Sequence, residues 1–326
     1  MTAVMTRIVL LSALLAVTVG ATSPLATAAA FDLQGHRGAR GLAPENTLAG
    51  FRTALGLGVT TLETDLAVTR DDVVVLSHDP VLNPDIVRGP DGQWLARPGP
   101  ALRTLSLAEL RRYDIGRLNP ASPYARQFPE QRPADGEPFP TLAELFAIGG
   151  PTVRFNIELK SDPTRPELAP DPASFARRVV TEVRAHGMAG RTTLQSFDWR
   201  TLIEARRQAP EVATSCLTIE SGGMDTVQRT GSKPSPWLGG LDLSVEAGSV
   251  PRLAGRAGCA VWSPFWRKLT GESLAEARAA GLKVVPWTVN DSREMARLVD
   301  LGVDGLITDY PDRAAAILSS KGIRFR

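Results

Sequence analysis

The chain has 326 residues, 43% of them hydrophobic, with 37 Lys and Arg against 35 Asp and Glu. A formal charge of +2 and the lack of any Lys/Arg stripe argue against nucleic acid or a polyanionic surface as the main partner. The length suits one large domain with its own core, although two smaller domains would also fit.

Residues 1–30 read as an export leader. Arg7 supplies a positive start, Ile8 to Gly20 is an apolar run without an acid, and Ala26 to Ala30 offers small residues for cleavage. That run is shorter than the ~20 residues that cross a bilayer, so no stable membrane anchor is expected; a retained anchor is the alternative. Neither cysteine lies near it, which argues against lipoprotein attachment. The expected mature chain starts near Phe31 and forms one domain over 31–326, exported to a periplasm or outside the cell.

From Phe31, short apolar strands alternate with amphipathic helices. Strands are predicted at Leu33–Gly38, Thr60–Val68, Thr152–Lys160, Thr192–Phe197, Val212–Ile219, Cys259–Phe265, Lys283–Asn290 and Gly305–Asp309. Helices are predicted at Asn46–Leu57, Ala173–Ala185, Trp199–Gln208, Ser273–Ala280 and Ser292–Leu301, several ending in glycine. Asp291-Ser292 predicts an N-cap. Such alternation points to an α/β fold, a parallel barrel rather than an open sheet; periodicity alone leaves a doubly wound sheet open.

Two stretches break the rhythm. Between His78 and Thr141 lie 11 of the 25 prolines, and the only regular piece predicted there is a helix at Leu107–Tyr113. An insertion of that length, about 79–140, reads as a lid or substrate-shaping excursion after the second strand. Ser221–Val250 is rich in Gly, Ser and Pro, with a short strand expected at Leu238–Val245. Cys216 and Cys259 lack metal-site spacing; export would permit a disulfide, and two buried apolar thiols are the alternative.

The chemistry concentrates around two of the three histidines. His36 lies in Gly35-His36-Arg37-Gly38, followed by Glu45-Asn46-Thr47, and His78 lies in Ser77-His78-Asp79. Between them Glu63 and Asp65 share one face of a strand, being two residues apart. Glu158 and Lys160 repeat that geometry. Like charges on a buried face need a cation or an arginine to neutralise them. The three carboxylates form an oxygen-only set suited to one divalent cation, Mg²⁺ or Ca²⁺, and poor for zinc; a structural ion-pair network is the bland alternative. Two histidines in the strand-end loops of a barrel point to proton transfer. His186, at a helix end, reads as a surface or capping residue. Glu45 and Asn46 read as capping the first helix and bracing the His36 loop.

The ordered set His36-Arg37-Gly38, Glu45-Asn46-Thr47, Glu63-x-Asp65, His78-Asp79, Glu158-x-Lys160, Gln195-Ser196-Phe197 and Trp287-Thr288-Val289-Asn290 resembles the glycerophosphodiester phosphodiesterase family from about Leu33 to Pro311. The resemblance implies a TIM-type (β/α)8 barrel, a divalent cation and hydrolysis of glycerophosphodiesters to glycerol 3-phosphate and an alcohol. It implies Glu63, Asp65 and Glu158 as metal ligands, His36 and His78 as the acid/base pair, and Arg37 and Lys160 as phosphate holders. Trp287, with Phe197, is read as packing on the glycerol or walling the pocket, and Gln195 as hydrogen-bonding substrate; ordinary barrel core is the alternative for each aromatic. The sequence departs from the family after His78-Asp79, where Leu82-Asn83-Pro84-Asp85 replaces an Arg/Thr-rich continuation, which bears on substrate preference. Competing readings are a related barrel phospholipase of C or D type, and a binding protein that has lost catalysis.

Overall fold

The computed structural model describes residues 30–221, 223–231 and 233–325, so all but the last residue of the expected leader lies outside the described residues. The strands are β1 (Asp32–Gly35), β2 (Thr61–Val68), β3 (Val74–Leu76), β4 (Arg154–Leu159), β5 (Thr192–Ser196), β6 (Ala213–Thr218), β7 (Glu220–Ser221), β8 (Met224–Asp225), β9 (Val261–Pro264), β10 (Lys283–Val284) and β11 (Gly305–Thr308). Eight of them run parallel in the order β10-β9-β6-β5-β4-β2-β1-β11. Backbone bonds from Asp304 to Val284 (2.9 Å) and from Ile307 to Pro286 (3.0 Å) join the two ends. The result is a TIM-type (β/α)8 barrel, and the open-sheet alternative falls. The short β3 turns back antiparallel on β2, pairing Leu76 with Leu66.

The helices are α1 (Leu48–Leu57), α2 (Leu107–Leu110), α3 (Leu142–Ile148), α4 (Pro172–Ala185), α5 (Trp199–Gln208), α6 (Val250–Arg256), α7 (Gly271–Ala279), α8 (Ser292–Leu301) and α9 (Pro311–Ser320). Side chains and glycines fix their limits. Thr47 Oγ1 accepts from the amide of Gly50 to start α1, and Gly58 ends it at φ 79°. Asp291 accepts two amides at the start of α8, as its sequence predicts. Inward faces carry the core: α4 buries Phe175, Val179, Val180 and Val183 against the sheet.

Three local expectations differ from the structure, two of them for identifiable reasons. The strand expected over Lys283–Asn290 ends at Val284, because Pro286 has no N–H for the ladder. Trp287 still donates its amide to Pro264 O at 3.2 Å and bridges to Phe265, so the segment keeps its place. Leu238–Val245 forms no strand; its ends lie in 3₁₀ turns at Pro236–Leu238 and Leu243–Glu246, separated by Gly239 and Gly240 at φ 66° and 82°. The helix expected over Leu107–Tyr113 stops at Leu110.

The insertion is not structureless filler. Leu82, Ile86, Val87, Leu102, Leu110, Ile115, Phe128 and Phe139 pack with Val75 of β3 into a satellite core. Cys216 on β6 and Cys259 form a disulfide across a sequence separation of 43. A cross-link of that span typically stabilises by about 2–4 kcal/mol.

Candidate active site

Strand alternation places Glu63 and Asp65 on the inner face of β2, and the register sets Glu158 of β4 beside Asp65. These three carboxylates are buried, and each offers an oxygen within 4.8 Å of the others. Burial and the charge of Asp65 push the Glu63 carboxyl well above its ordinary range. Burial likewise drives Glu158 up to about 7, with Lys160 partly offsetting it. Asp65 is the exception: Arg37, His78 and Lys160 outweigh its burial and hold it well below the usual carboxylate range.

The cations that balance this charge stand beside it. Arg37 Nε lies 3.1 Å from Asp65 Oδ2, and its Nη1 donates to Glu45 Oε1 at 2.7 Å. Lys160 Nζ lies 3.0 Å from Glu158 Oε1 and 3.8 Å from Asp65 Oδ1. Asp65 Oδ1 is nonetheless buried without a hydrogen-bond partner. An orphaned oxygen at the centre of three hard oxygen donors fits a divalent cation bound by Glu63, Asp65 and Glu158.

The His36 loop is shaped to approach this cluster. A Cβ on Gly35 would sit 2.1 Å from Gly38 O, so the turn requires the bare backbone there. Arg37 takes the left-handed conformation at φ 50°, and its amide donates to Glu63 Oε2 at 2.8 Å. Strained backbone of this kind persists where surrounding structure over-determines it. Asn46, at φ 53°, donates to Asp65 Oδ2 at 3.0 Å and accepts from Thr64 Oγ1 at 2.8 Å. Asn46 therefore braces an acid, and the cap expected of it belongs to Thr47.

Each of the two site histidines has its own carboxylate. His36 Nδ1 lies 2.6 Å from Asp309 Oδ1, and His36 Nε2 lies 4.0 Å from Glu63 Oε2. His78 Nδ1 lies 3.0 Å from Asp79 Oδ1. Arg40 and His36 outweigh burial and hold Asp309 far below its usual range, so it accepts and His36 Nδ1 carries the proton. Burial lowers His36 to about 4, leaving a neutral ring with a free Nε2 lone pair. His78 is lowered too, by burial and by Arg37 and Lys160, while Asp79 sits at about 2. His186 is exposed at the end of α4, as expected.

Gln195, read from the sequence as a substrate hydrogen-bonder, meets the acidic cluster. It is 1% exposed; its Nε2 donates to Glu63 Oε1 at 2.7 Å and its Oε1 accepts from Asn156 at 2.9 Å. Its amide thus serves the acidic cluster. Trp287 is half-buried, donates Nε1 to Ser263 O at 2.9 Å, and meets the Phe197 ring edge-on at 5.1 Å. Lys160 Nζ stands 6.0 Å from the Phe197 centroid, so this aromatic wall adjoins the charged cluster.

Sequence reasoning missed Asp309 and Arg40. Arg40 donates from Nε and Nη2 to Asp309 at 2.8 and 2.9 Å, and Asn290 Nδ2 adds a third contact at 2.6 Å. The available signal was an acid just past the last apolar strand, where barrel functional residues collect.

Fold and site together define a (β/α)8-barrel hydrolase with an acidic cluster at its mouth. The glycerophosphoryl diester phosphodiesterase family model matches residues 36–313, and the chain belongs to that family. It is 26% identical over 288 residues to a glycerophosphodiester phosphodiesterase of Caldanaerobacter subterraneus, covering 88% of this chain and 97% of that one. A crystal structure from Silicibacter pomeroyi, assigned to glycerophosphoryl diester phosphodiesterases, aligns at TM-score 0.80 and 36% identity, covering 92% of this chain and 97% of that one. An Oleispira antarctica phosphodiesterase, solved with sn-glycerol-3-phosphate, shares the fold at TM-score 0.63 and 23% identity, over 89% and 97% of the two chains.

Asp309→Asn would keep the shape but weaken the hold on the His36 Nδ1 proton. Turnover of glycerophosphocholine is expected to fall by about 10²–10⁴ in a protein that still folds, with the melting temperature lowered by several degrees as Arg40 loses its charged partner; steady-state kinetics beside a thermal melt checks this.

Proposed function

We propose that the chain hydrolyses small soluble glycerophosphodiesters to sn-glycerol 3-phosphate and an alcohol, with His36 and His78 moving the protons. The observation that carries this reading is the pair of His–Asp contacts flanking a buried triad of carboxylates. A divalent cation, Ca²⁺ or Mg²⁺, held by Glu63, Asp65 and Glu158 would supply charge stabilisation to a non-bridging phosphate oxygen.

The chain's own groups account for the rest. Arg37 and Lys160 are the donors for the phosphate, opposing the charge that grows as the leaving oxygen departs. His36, whose Nδ1–H is fixed by Asp309, receives at Nε2 the proton of the attacking hydroxyl. His78, the more accessible of the two rings, gives a proton to the departing alkoxide as the phosphorus–oxygen bond breaks. His36 then gives up its extra proton to water and His78 takes one back, so one water is consumed overall and both rings return to their starting state. Gln195 orients Glu63 rather than touching substrate. Phe197 and Trp287 wall the pocket on the side of Lys160.

Two observations favour a small substrate over an intact phospholipid. The only large hydrophobics exposed among the described residues are Met224 and Val245. The insertion keeps its aromatic Phe128 and Phe139 buried. We also propose export, supported by the leader pattern and by the Cys216–Cys259 disulfide, which oxidising compartments favour. N-terminal sequencing of protein from an exporting host is expected to find a start near Phe31; an intact Met1 would oppose export with cleavage.

The test is a turnover panel of glycerophosphodiesters and intact phospholipids, with and without chelator. Release of glycerol 3-phosphate from glycerophosphocholine is expected, lost on chelation and restored by Ca²⁺ or Mg²⁺. His36→Ala and His78→Ala should each lower it by about 10²–10⁴ while remaining folded. Near-normal turnover in either variant would remove that histidine from the chemistry.

A further inference from the structure

Resting on the reading above, we infer that Tyr124 of the insertion is a positioning residue that holds Arg37 and the His36–Asp309 pair in one hydrogen-bonded assembly. Its phenol makes a short bond to Glu45 Oε2 and accepts from Arg40 Nη1 at 3.0 Å. On one side, Glu45 Oε1 accepts from Arg37 Nη1 at 2.7 Å. On the other, the Arg40 guanidinium grips Asp309 at 2.8 and 2.9 Å, and Asp309 holds His36 at 2.6 Å. The phosphate-holding arginine and the proton-accepting histidine therefore meet through a single hydroxyl supplied by the insertion.

The chemistry of that hydroxyl suits the position. A phenol has one proton to donate and lone pairs to accept with. Donating to Glu45 leaves the oxygen free for Arg40, so one group satisfies a carboxylate and a guanidinium together. Phenylalanine would do neither, leaving two buried charged groups each short of a partner.

The insertion is built to deliver this residue. Tyr124 packs edge-on against Phe128 at 5.2 Å, and Arg40 lies over the Phe128 ring at 4.8 Å. Gln131 Nε2 donates to Arg40 O at 2.7 Å and the Arg132 amide to Leu42 O at 2.9 Å, fastening this segment to the His36 loop. The Tyr124 amide donates to Ser122 Oγ at 2.9 Å, which donates to Asp85 Oδ1 at 2.7 Å, tying it back toward the stretch that follows His78-Asp79. On this view the insertion helps complete the site.

Tyr124→Phe tests this, with Tyr113→Phe, in the same insertion, as the control. The expected result is a kcat about tenfold lower or more for Tyr124→Phe, a protein that stays folded with a melting temperature lower by only a few degrees, and wild-type behaviour in the control. Arg40→Lys, which loses the guanidinium fork, should also lower kcat. Its loss should not multiply with that of Tyr124→Phe, because both cut one chain. In ¹⁵N-histidine NMR, wild-type His36 should be the Nδ1–H tautomer, with the Nε2–H form rising in both variants. That spectrum needs no turnover, so it decides the positioning claim even if the wild type cleaves no glycerophosphodiester, an outcome that would sink only the proposed function. Wild-type kcat in Tyr124→Phe, multiplying losses, or an unchanged His36 spectrum in both variants would overturn the inference.

Discussion

Three carboxylates buried within 4.8 Å of one another are the constraint on which the site depends. Charges of one sign repel strongly where water is scarce, and each also loses its hydration. The fold counters this with Arg37 and Lys160 at contact distance, and with amides from Gln195, Asn46 and the Arg37 backbone. Even so, Glu63 and Glu158 are pushed toward protonation while Asp65 keeps an orphaned oxygen. Such a cluster is stable as an ionised set only with further positive charge.

The surrounding architecture follows from holding those charges in place. Left-handed Arg37 turns its amide onto Glu63, and the glycines on either side of the His36–Arg37 pair allow the backbone to come close. Each site histidine is pinned by a carboxylate at Nδ1, which leaves Nε2 free for chemistry. The insertion, with a satellite core of its own, closes the outer side of this network rather than hanging beside it.

Much of this was legible in the sequence, because period-two spacing is enough to place Glu63 with Asp65 on one face. The match of Glu158 to Asp65 followed from two strands becoming neighbours, which alternation of elements implies. Asp309 was hidden because its partner His36 lies 273 positions away and an acid at a strand end has no local signature. The Gln195 bond to Glu63 was not legible, because nothing local tells whether an amide faces substrate or a neighbouring acid. Tyr124 was invisible for a third reason: the insertion lacks hydrophobic periodicity, so nothing said which of its residues returns to the barrel. Helix α3, seven residues long, was likewise too short to show a clear pattern.

Calorimetric titration of Ca²⁺ and Mg²⁺ into the purified chain addresses the acidic cluster without relying on any substrate. The account predicts one ion per chain, with affinity reduced by about a hundredfold or more in Asp65→Asn and Glu158→Gln and little altered in the distant control Asp242→Asn. Equal binding by the wild type and the two cluster variants, or none by the wild type, would contradict it.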